Sequence, residues 1–324
     1  MKKIAIVSGA LGQDGFYLSH HLLQLGYEVI GTSHRQDAEN ELSNLPFEFT
    51  NFEILELKSN LAIAKIVKKI RPTEIYNLAS RASSSQLFDD PIETGDVNGL
   101  ACTRWLEAIS QHSPTSRFCQ AISSEIYAGT DATPQDENTC IAPINAYGAS
   151  KAYALHMVNA YRMQKNIFAC AAIVYNHESI RRKENFVSRK ITSAAASIYL
   201  GLTNSFSLGG INAERDWSHA KDIVEGMQLS LQHTQSGNYI FSSGTTRKIS
   251  DFCDIAFKFV GLNYKNYLTL DQGFLVRDDI CIFNGNHNKA KDILGWCPKI
   301  SFESMIYEMV EFDIARLKGL QIEE

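Results

Sequence analysis

The sequence predicts an α/β fold: a doubly wound parallel sheet with a smaller, interleaved C-terminal lobe. Three observations carry that expectation. Short, nearly continuous apolar runs alternate with helical patterns through the first half; such strands are buried on both faces, so helices must cover them. A glycine-rich turn joins the first run to the first helical pattern. The chain has 324 residues, the length of one large α/β unit or of two interleaved lobes.

Taken in order, residues 4–7 read as a buried strand, and 13–25 as a helix with an apolar stripe, closed by Gly26. Further strands are expected at 28–32, 52–57, 74–78, 118–122 and 168–175, with helices at 61–70, 92–109 and 147–163. The second half is less regular. It predicts helices at 185–200, 219–232, 250–260, 288–294 and 302–317, and short strands near Phe206 and Tyr239 that join the main sheet. No repeat, low-complexity tract or Pro/Ser-rich linker interrupts the chain, so the second lobe is expected to dock on the first.

Composition narrows the function classes. Lys and Arg (31) against Asp and Glu (36) leave a formal charge of -5, which gives no electrostatic case for nucleic acid or an anionic membrane. The longest apolar stretch, 167–175, is far short of a membrane span, and the run after Lys3 is too short for a signal core. Seven cysteines without a CxxC pair point to free thiols in a reducing compartment, with no disulfide and no metal site; the expected location is cytoplasmic. His20 and His21 read as helix-surface or packing residues, with no third ligand spaced to join them.

The turn Gly9-Ala10-Leu11-Gly12-Gln13-Asp14-Gly15 spaces its glycines G-x-x-G-x-x-G between a strand and a helix. Lacking side chains, they permit a tight turn and let backbone N–H groups approach a pyrophosphate at the helix N-terminus. The fold is therefore expected to be Rossmann-like. Residues 1–175 form the dinucleotide-binding domain, 206–245 return to it in part, and 176–324 supply most of a substrate-binding lobe. The second strand ends Gly31-Thr32-Ser33-His34-Arg35, with no acid at its tip for a ribose 2′-hydroxyl. Arg35 suits a 2′-phosphate, which favours NADP; Asp37 keeps NAD open as the alternative.

Tyr147 and Lys151 stand four apart at the start of a helix and share one face. A nearby ammonium, with the nicotinamide charge, would lower the tyrosine pKa and fit it as a base toward a sugar hydroxyl. Ser123, Glu125 and Tyr127 fall just after the apolar run 118–122. A carboxylate at the mouth of a buried strand is costly unless something uses it. The bland alternative for Glu125 is a surface ion pair.

These residues together resemble the extended short-chain dehydrogenase/reductase family, most closely its GDP-mannose 4,6-dehydratases. The likeness runs through the glycine turn, RPTEIYNLAS (71–80), SSEIY (123–127), PINAYGASKAYA (143–154), NHES (176–179), NFVSRKI (185–191), ERDWSHAKD (214–222) and KAKDILGW (289–296). The resemblance implies an NADP-dependent hydro-lyase acting on a GDP-hexose, with Ser123, Glu125, Tyr147 and Lys151 as its catalytic residues. Tyr147 would oxidise carbon 4, and Glu125 would remove the carbon-5 proton and help expel water from carbon 6. Ser123 stands where the family has threonine and keeps a hydroxyl. Gly9, Gly12, Gln13, Asp14, Gly15, Arg35, Leu57, Leu78, Ala79, Tyr147 and Lys151 are assigned to the cofactor. Asn176, Asn185, Lys190, Arg215 and Arg277 are assigned to the substrate; His177 fits a structural role as well as a contact. Glu214 and the Arg277-Asp278 pair depart from the family pattern and leave the sugar open: a GDP-heptose dehydratase or a sugar-nucleotide 4-reductase or epimerase is the alternative. The resemblance also implies a homodimer through the helices at 92–109 and 147–163, with a homotetramer as the alternative. Tyr153, Leu155 and Val158 either face that partner or pack on the sheet.

Overall fold

A computed structural model describes residues 2–35, 38–82, 88, 90–271 and 282–320. The chain begins β1 (Ile4–Ser8), α1 (Gln13–Gln24), β2 (Glu28–Ser33), α2 (Glu39–Leu42), β3 (Asn51–Ile54), α3 (Asn60–Ile70) and β4 (Glu74–Asn77). It continues with α4 (Pro91–Thr94), a π-helical turn (Gly95–Leu100), α5 (Ala101–His112), β5 (Arg117–Ser123), a 3-10 turn (Ser124–Tyr127), α6 (Ala146–Lys165) and β6 (Ala169–Val174). There follow β7 (Asn176–Glu178), α7 (Val187–Tyr199), β8 (Phe206–Leu208), β9 (Glu214–His219), α8 (Ala220–Gln232) and β10 (Asn238–Phe241). The chain closes with β11 (Thr246–Lys248), α9 (Ile249–Phe259), β12 (Leu268–Leu270), α10 (Asn288–Leu294) and α11 (Phe302–Leu317).

Seven strands form the main sheet in the order β10-β6-β5-β4-β1-β2-β3, every neighbouring pair parallel. β6 shows why the sheet needs cover on both sides. Its residues are all buried, and they alternate between two cores. Ala169, Ala171 and Ile173 join the core under α3, α5 and α6, with Ile63, Trp105 and Leu155. Cys170, Ala172 and Val174 join the core under α1, α8 and α10, with Leu18, Met227 and Ala290. A third core packs α7, α9 and α11 around Trp217 and forms the second lobe. Among the described residues, no helix is long and apolar enough to cross a membrane.

Two local expectations are corrected, and one strand was not foreseen. The helix expected at 92–109 is broken: Pro91 opens α4, and a π turn precedes α5. The strand near Phe206 does not join the main sheet; it pairs with β12 in a two-stranded sheet of its own. The strand near Tyr239 does join, at the edge beside β6. β9, hidden in the charged run Glu214-Arg215-Asp216, is a strand because Asp216 turns inward, fully buried. It accepts from Ser243 N at 2.7 Å, Ser243 Oγ at 2.6 Å, Gly244 N at 3.0 Å and Gly285 N at 3.1 Å. Finally, Leu155 and Val158 are buried on the sheet, and Tyr153 alone of that trio is exposed.

The second lobe is braced by a buried ion pair. Asp313, with no exposed surface, accepts from Arg189 Nη2 at 2.7 Å, Thr192 Oγ1 at 2.7 Å and Arg316 Nη2 at 3.2 Å. Removing one member leaves the other charged and dry, which costs about 3–5 kcal/mol. Asp313→Asn should therefore lower the unfolding free energy by roughly that amount, read from the urea midpoint at unchanged slope.

Candidate active site

The strand order reverses between β1 and β4, and the glycine turn lies at that reversal, beyond the carboxyl ends of both strands. Gly9 has φ +80°, and a Cβ on it would stand 2.8 Å from the Ala79 backbone. A Cβ on Gly15 would stand 2.2 Å from the Gly9 carbonyl oxygen, so α1 packs directly on the turn. Gly12 caps α1 without a side chain. First-turn N–H groups and bare backbone form a cradle that suits a pyrophosphate. Leu78 and Ala79 follow β4 beside the turn, and Leu78 N donates to Ser8 O at 3.1 Å. Leu57 is buried in the main core, and its carbonyl accepts from Arg104 at 3.2 Å. Arg35 forks onto Glu41 of α2. Asp37 lies outside the described residues.

Gln13 and Asp14 reach across to the second lobe. Gln13 Nε2 donates to the His177 carbonyl at 3.0 Å, and Ser179 Oγ donates to Gln13 Oε1 at 2.8 Å. His177 Nδ1 faces the Tyr175 carbonyl at 2.7 Å, and Nε2 faces both Asp14 oxygens at 3.0 Å. Both partners are acceptors, so the arrangement calls for a proton on each ring nitrogen. Burial opposes both charges, but their attraction prevails: Asp14 lies below the usual carboxylate range and His177 above the usual imidazole range.

The catalytic candidates converge at the end of β5. Ser123 caps the 3-10 turn, its Oγ accepting from Glu125 N at 3.3 Å. The Tyr147 phenol lies near the Ser123 and Ser80 hydroxyls. Lys151, 2 % exposed, stands 5.8 Å from the Tyr147 ring centroid and donates to the Ala121 carbonyl at 2.9 Å. Burial pushes the Lys151 ammonium down to about 8. Burial likewise raises the Tyr147 phenol, the nearby Ser123 and Ser80 hydroxyls oppose that rise, and the Glu125 carboxylate adds to it. In the protein alone the phenol is thus raised; the expected lowering calls on the nicotinamide charge as well as Lys151.

Three residues escaped the sequence reading. Asn98, 1 % exposed in the π turn, accepts from Ser80 Oγ at 3.0 Å and Arg81 N at 2.8 Å, and so fixes a partner of Tyr147. Asn145 joins Glu125 to α6, donating from Nδ2 to Oε2 at 3.0 Å. Arg247 on β11 stands directly across from Arg215 on β9. Like charges so placed repel, and a bound anion relieves the repulsion. An Asx-type residue ahead of a helix is a legible cap signal; the other two carried none.

The remaining substrate candidates are spread over the second lobe. Asn176 opens β7 and pairs in register with Trp217 of β9. Arg215 donates from Nη1 to the Glu214 carbonyl at 2.7 Å and lies 6.0 Å from the Phe283 ring. Asn185 and Lys190, both exposed, stand on either side of the start of α7, which begins at Val187, two residues later than expected. Arg277 and Asp278 lie outside the described residues.

The family model for GDP-mannose 4,6 dehydratase matches residues 6–309. The chain belongs to the GDP-mannose 4,6-dehydratase family. It is 36 % identical over 330 residues to GDP-mannose 4,6 dehydratase 2 of Arabidopsis thaliana, covering 98 % of this chain and 88 % of that relative. Solved structures share the fold at 19 % identity. The UDP-glucose 4-epimerase of Thermotoga maritima with UDP-glucose has a TM-score of 0.86, covering 97 % of this chain and 99 % of that one. RMD of Pseudomonas aeruginosa with NADPH scores 0.82 (97 % and 100 %), and the dTDP-glucose 4,6-dehydratase of Bacillus anthracis with NAD scores 0.81 (98 % and 98 %).

The Asp14–His177 pair makes a pH prediction for this family member. The raised histidine contributes stability in full below its unfolded pKa of about 6.5 and loses it as pH rises through its folded value. The lowered carboxyl contributes in full above about 3.9 and loses it as pH falls through its folded value. The stability gap between wild type and His177→Gln should therefore peak between about pH 4 and 6.5 and narrow on both sides, measured by urea unfolding across that range.

Proposed function

We propose that the protein is a sugar-nucleotide 4,6-dehydratase converting a GDP-hexose of the GDP-mannose type to its 4-keto-6-deoxy derivative. The observation that carries the reading is the Glu125 carboxylate, close enough to Tyr147 to raise its phenol. A plain reductase or 4-epimerase needs the serine, tyrosine and lysine, and has no use for a second acid/base so placed. Family membership supports the GDP-hexose.

Tyr147 takes the proton of the carbon-4 hydroxyl, with Ser123 hydrogen-bonded to the same oxygen. Lys151 lies behind the ring, and its charge together with that of a bound nicotinamide would favour the phenolate. A nicotinamide held at the glycine turn would supply reversible hydride chemistry, taking the carbon-4 hydride and returning it at carbon 6. The carbon-4 ketone acidifies the proton on carbon 5; Glu125 removes that proton and delivers it to the carbon-6 hydroxyl, which leaves as water. Hydride return to carbon 6 and return to carbon 5 of the proton that Tyr147 took from the carbon-4 hydroxyl would leave no net oxidation and reset both residues. The glycine turn from Gly9 to Gly15 holds the cofactor pyrophosphate, with Leu57, Leu78 and Ala79 as further cofactor residues. We read the cofactor as NADP, its 2′-phosphate taking the Arg35 fork from Glu41, with NAD as the alternative. Asn176, Asn185, Lys190 and Arg215 serve the sugar nucleotide, and Arg215 with Arg247 suits the diphosphate.

Incubated with GDP-mannose and catalytic NADP+, the protein should yield a product lighter by one water in mass spectrometry. Glu125→Gln should lower that rate by about 10²–10⁴, the usual worth of a general base. Water loss from a GDP-heptose alone would move the substrate and keep the chemistry. Reduction of a keto sugar without water loss would make the protein a reductase.

We also propose a homodimer through α4, the π turn and α6, where Ile92, Leu100 and Tyr153 are 85 %, 44 % and 40 % exposed. Light scattering should give twice the 36.2 kDa chain mass; four times that mass would indicate the tetramer, and the chain mass itself would sink the proposal. The six described cysteines are unpaired, which supports a reducing, cytoplasmic setting.

A further inference from the structure

We infer that Asn145 is a positioning residue that ties the Glu125 carboxylate to the N-terminus of the helix carrying Tyr147 and Lys151. The inference rests on the dehydratase reading of Glu125. Asn145 is the N-cap of α6, with extended backbone (φ -142°, ψ 165°). Its Oδ1 accepts from Gly148 N at 2.7 Å, and its Nδ2 donates to Glu125 Oε2 at 3.0 Å. The first bond fixes the amide, because a backbone N–H only donates and must face the oxygen; the nitrogen then has to face the carboxylate. Gly148 completes the junction: a Cβ there would stand 2.6 Å from the Glu125 carbonyl oxygen, so the first turn of α6 lies directly against the Glu125 backbone.

Residue type matters at this position. Serine, threonine and aspartate cap helices as well as asparagine does. None of them offers an N–H to a neighbouring carboxylate, and aspartate brings a like charge. A cationic donor would hold the carboxylate but depress its pKa and weaken it as a base. A neutral amide orients the carboxylate without adding charge beside it. One side chain thereby sets the distance between the residue that removes the carbon-5 proton and the pair that oxidises carbon 4.

The variants Asn145→Ser, Asn145→Asp and Asn145→Ala separate capping from positioning. Asn145→Ser keeps a cap and should keep the wild-type melting temperature and KM, while kcat for water loss from GDP-mannose falls about 10- to 100-fold, part of what a general base contributes. Reduced nicotinamide should accumulate during its turnover, because carbon-4 oxidation then outruns elimination. Asn145→Asp should move the acid limb of the kcat–pH profile to higher pH, since a second carboxylate raises the proton affinity of the first. Asn145→Ala should lose thermal stability as well as rate. Wild-type kcat in Asn145→Ser, or activity in all three variants that falls only with the folded fraction, would overturn the positioning role and leave a cap. A wild-type protein that releases no water from any GDP-hexose would overturn the dehydratase reading itself, a result distinct from either.

Discussion

A parallel sheet must be dry on both faces, and most of this molecule follows from meeting that condition. Every residue of β4 and β6 is buried, so each strand feeds two cores at once. Helices must therefore alternate between the two sides, and the connections must change direction once, between β1 and β4. That change opens a crevice at the carboxyl ends of the strands. The glycine turn and the strand bearing Ser123 both end at it, so the place of the chemistry is decided by packing before any reactive side chain is considered.

At Tyr147 and Lys151, unlike at the Asp14–His177 pair, electrostatics are set by burial more than by pairing. Lys151 is held with little water and one carbonyl, at the edge of losing its charge. Tyr147 is held neutral between two serine hydroxyls and a carboxylate. In this arrangement the resting site favours a protonated phenol, and positive charge arriving with a nicotinamide would bring Tyr147 toward its working state. The protein alone is tuned for readiness, with the cofactor's charge needed to complete the base.

Features imposed by local backbone geometry were legible in the sequence. Gly9 needs a positive φ and Gly15 has no room for a Cβ, so the glycines announce the turn. Tyr147 and Lys151 announce a shared helix face by their spacing. Features made by contacts between distant segments were not. Asn98 acts through a π turn that ordinary helical periodicity does not foresee. Phe206 reads as a strand residue, but its neighbour in space, Leu268, comes some sixty positions later. Leu155 and Val158 sit on a helix with apolar residues on more than one side, and periodicity alone does not say which side meets the sheet. Ser123 and Glu125 stood out at the mouth of a buried strand, and family likeness gave them their roles; the bond from Asn145 to Glu125 was visible only in three dimensions.

The clasp between α1 and β7 bears on how the chain assembles. Gln13 meets Ser179 across 166 positions of sequence, and Asp14 meets His177 across 163. Contacts of such separation close large loops and form late, because chain entropy must be overcome before they return anything. During synthesis, β1 to β5 have emerged long before residue 177 exists. The cradle's glycines are then present without the histidine that neutralises Asp14 or the serine that holds Gln13. A chain stopped at β6 would own most of a dinucleotide fold and lack its lock, and the site comes into being only when the second lobe reaches back to the first helix.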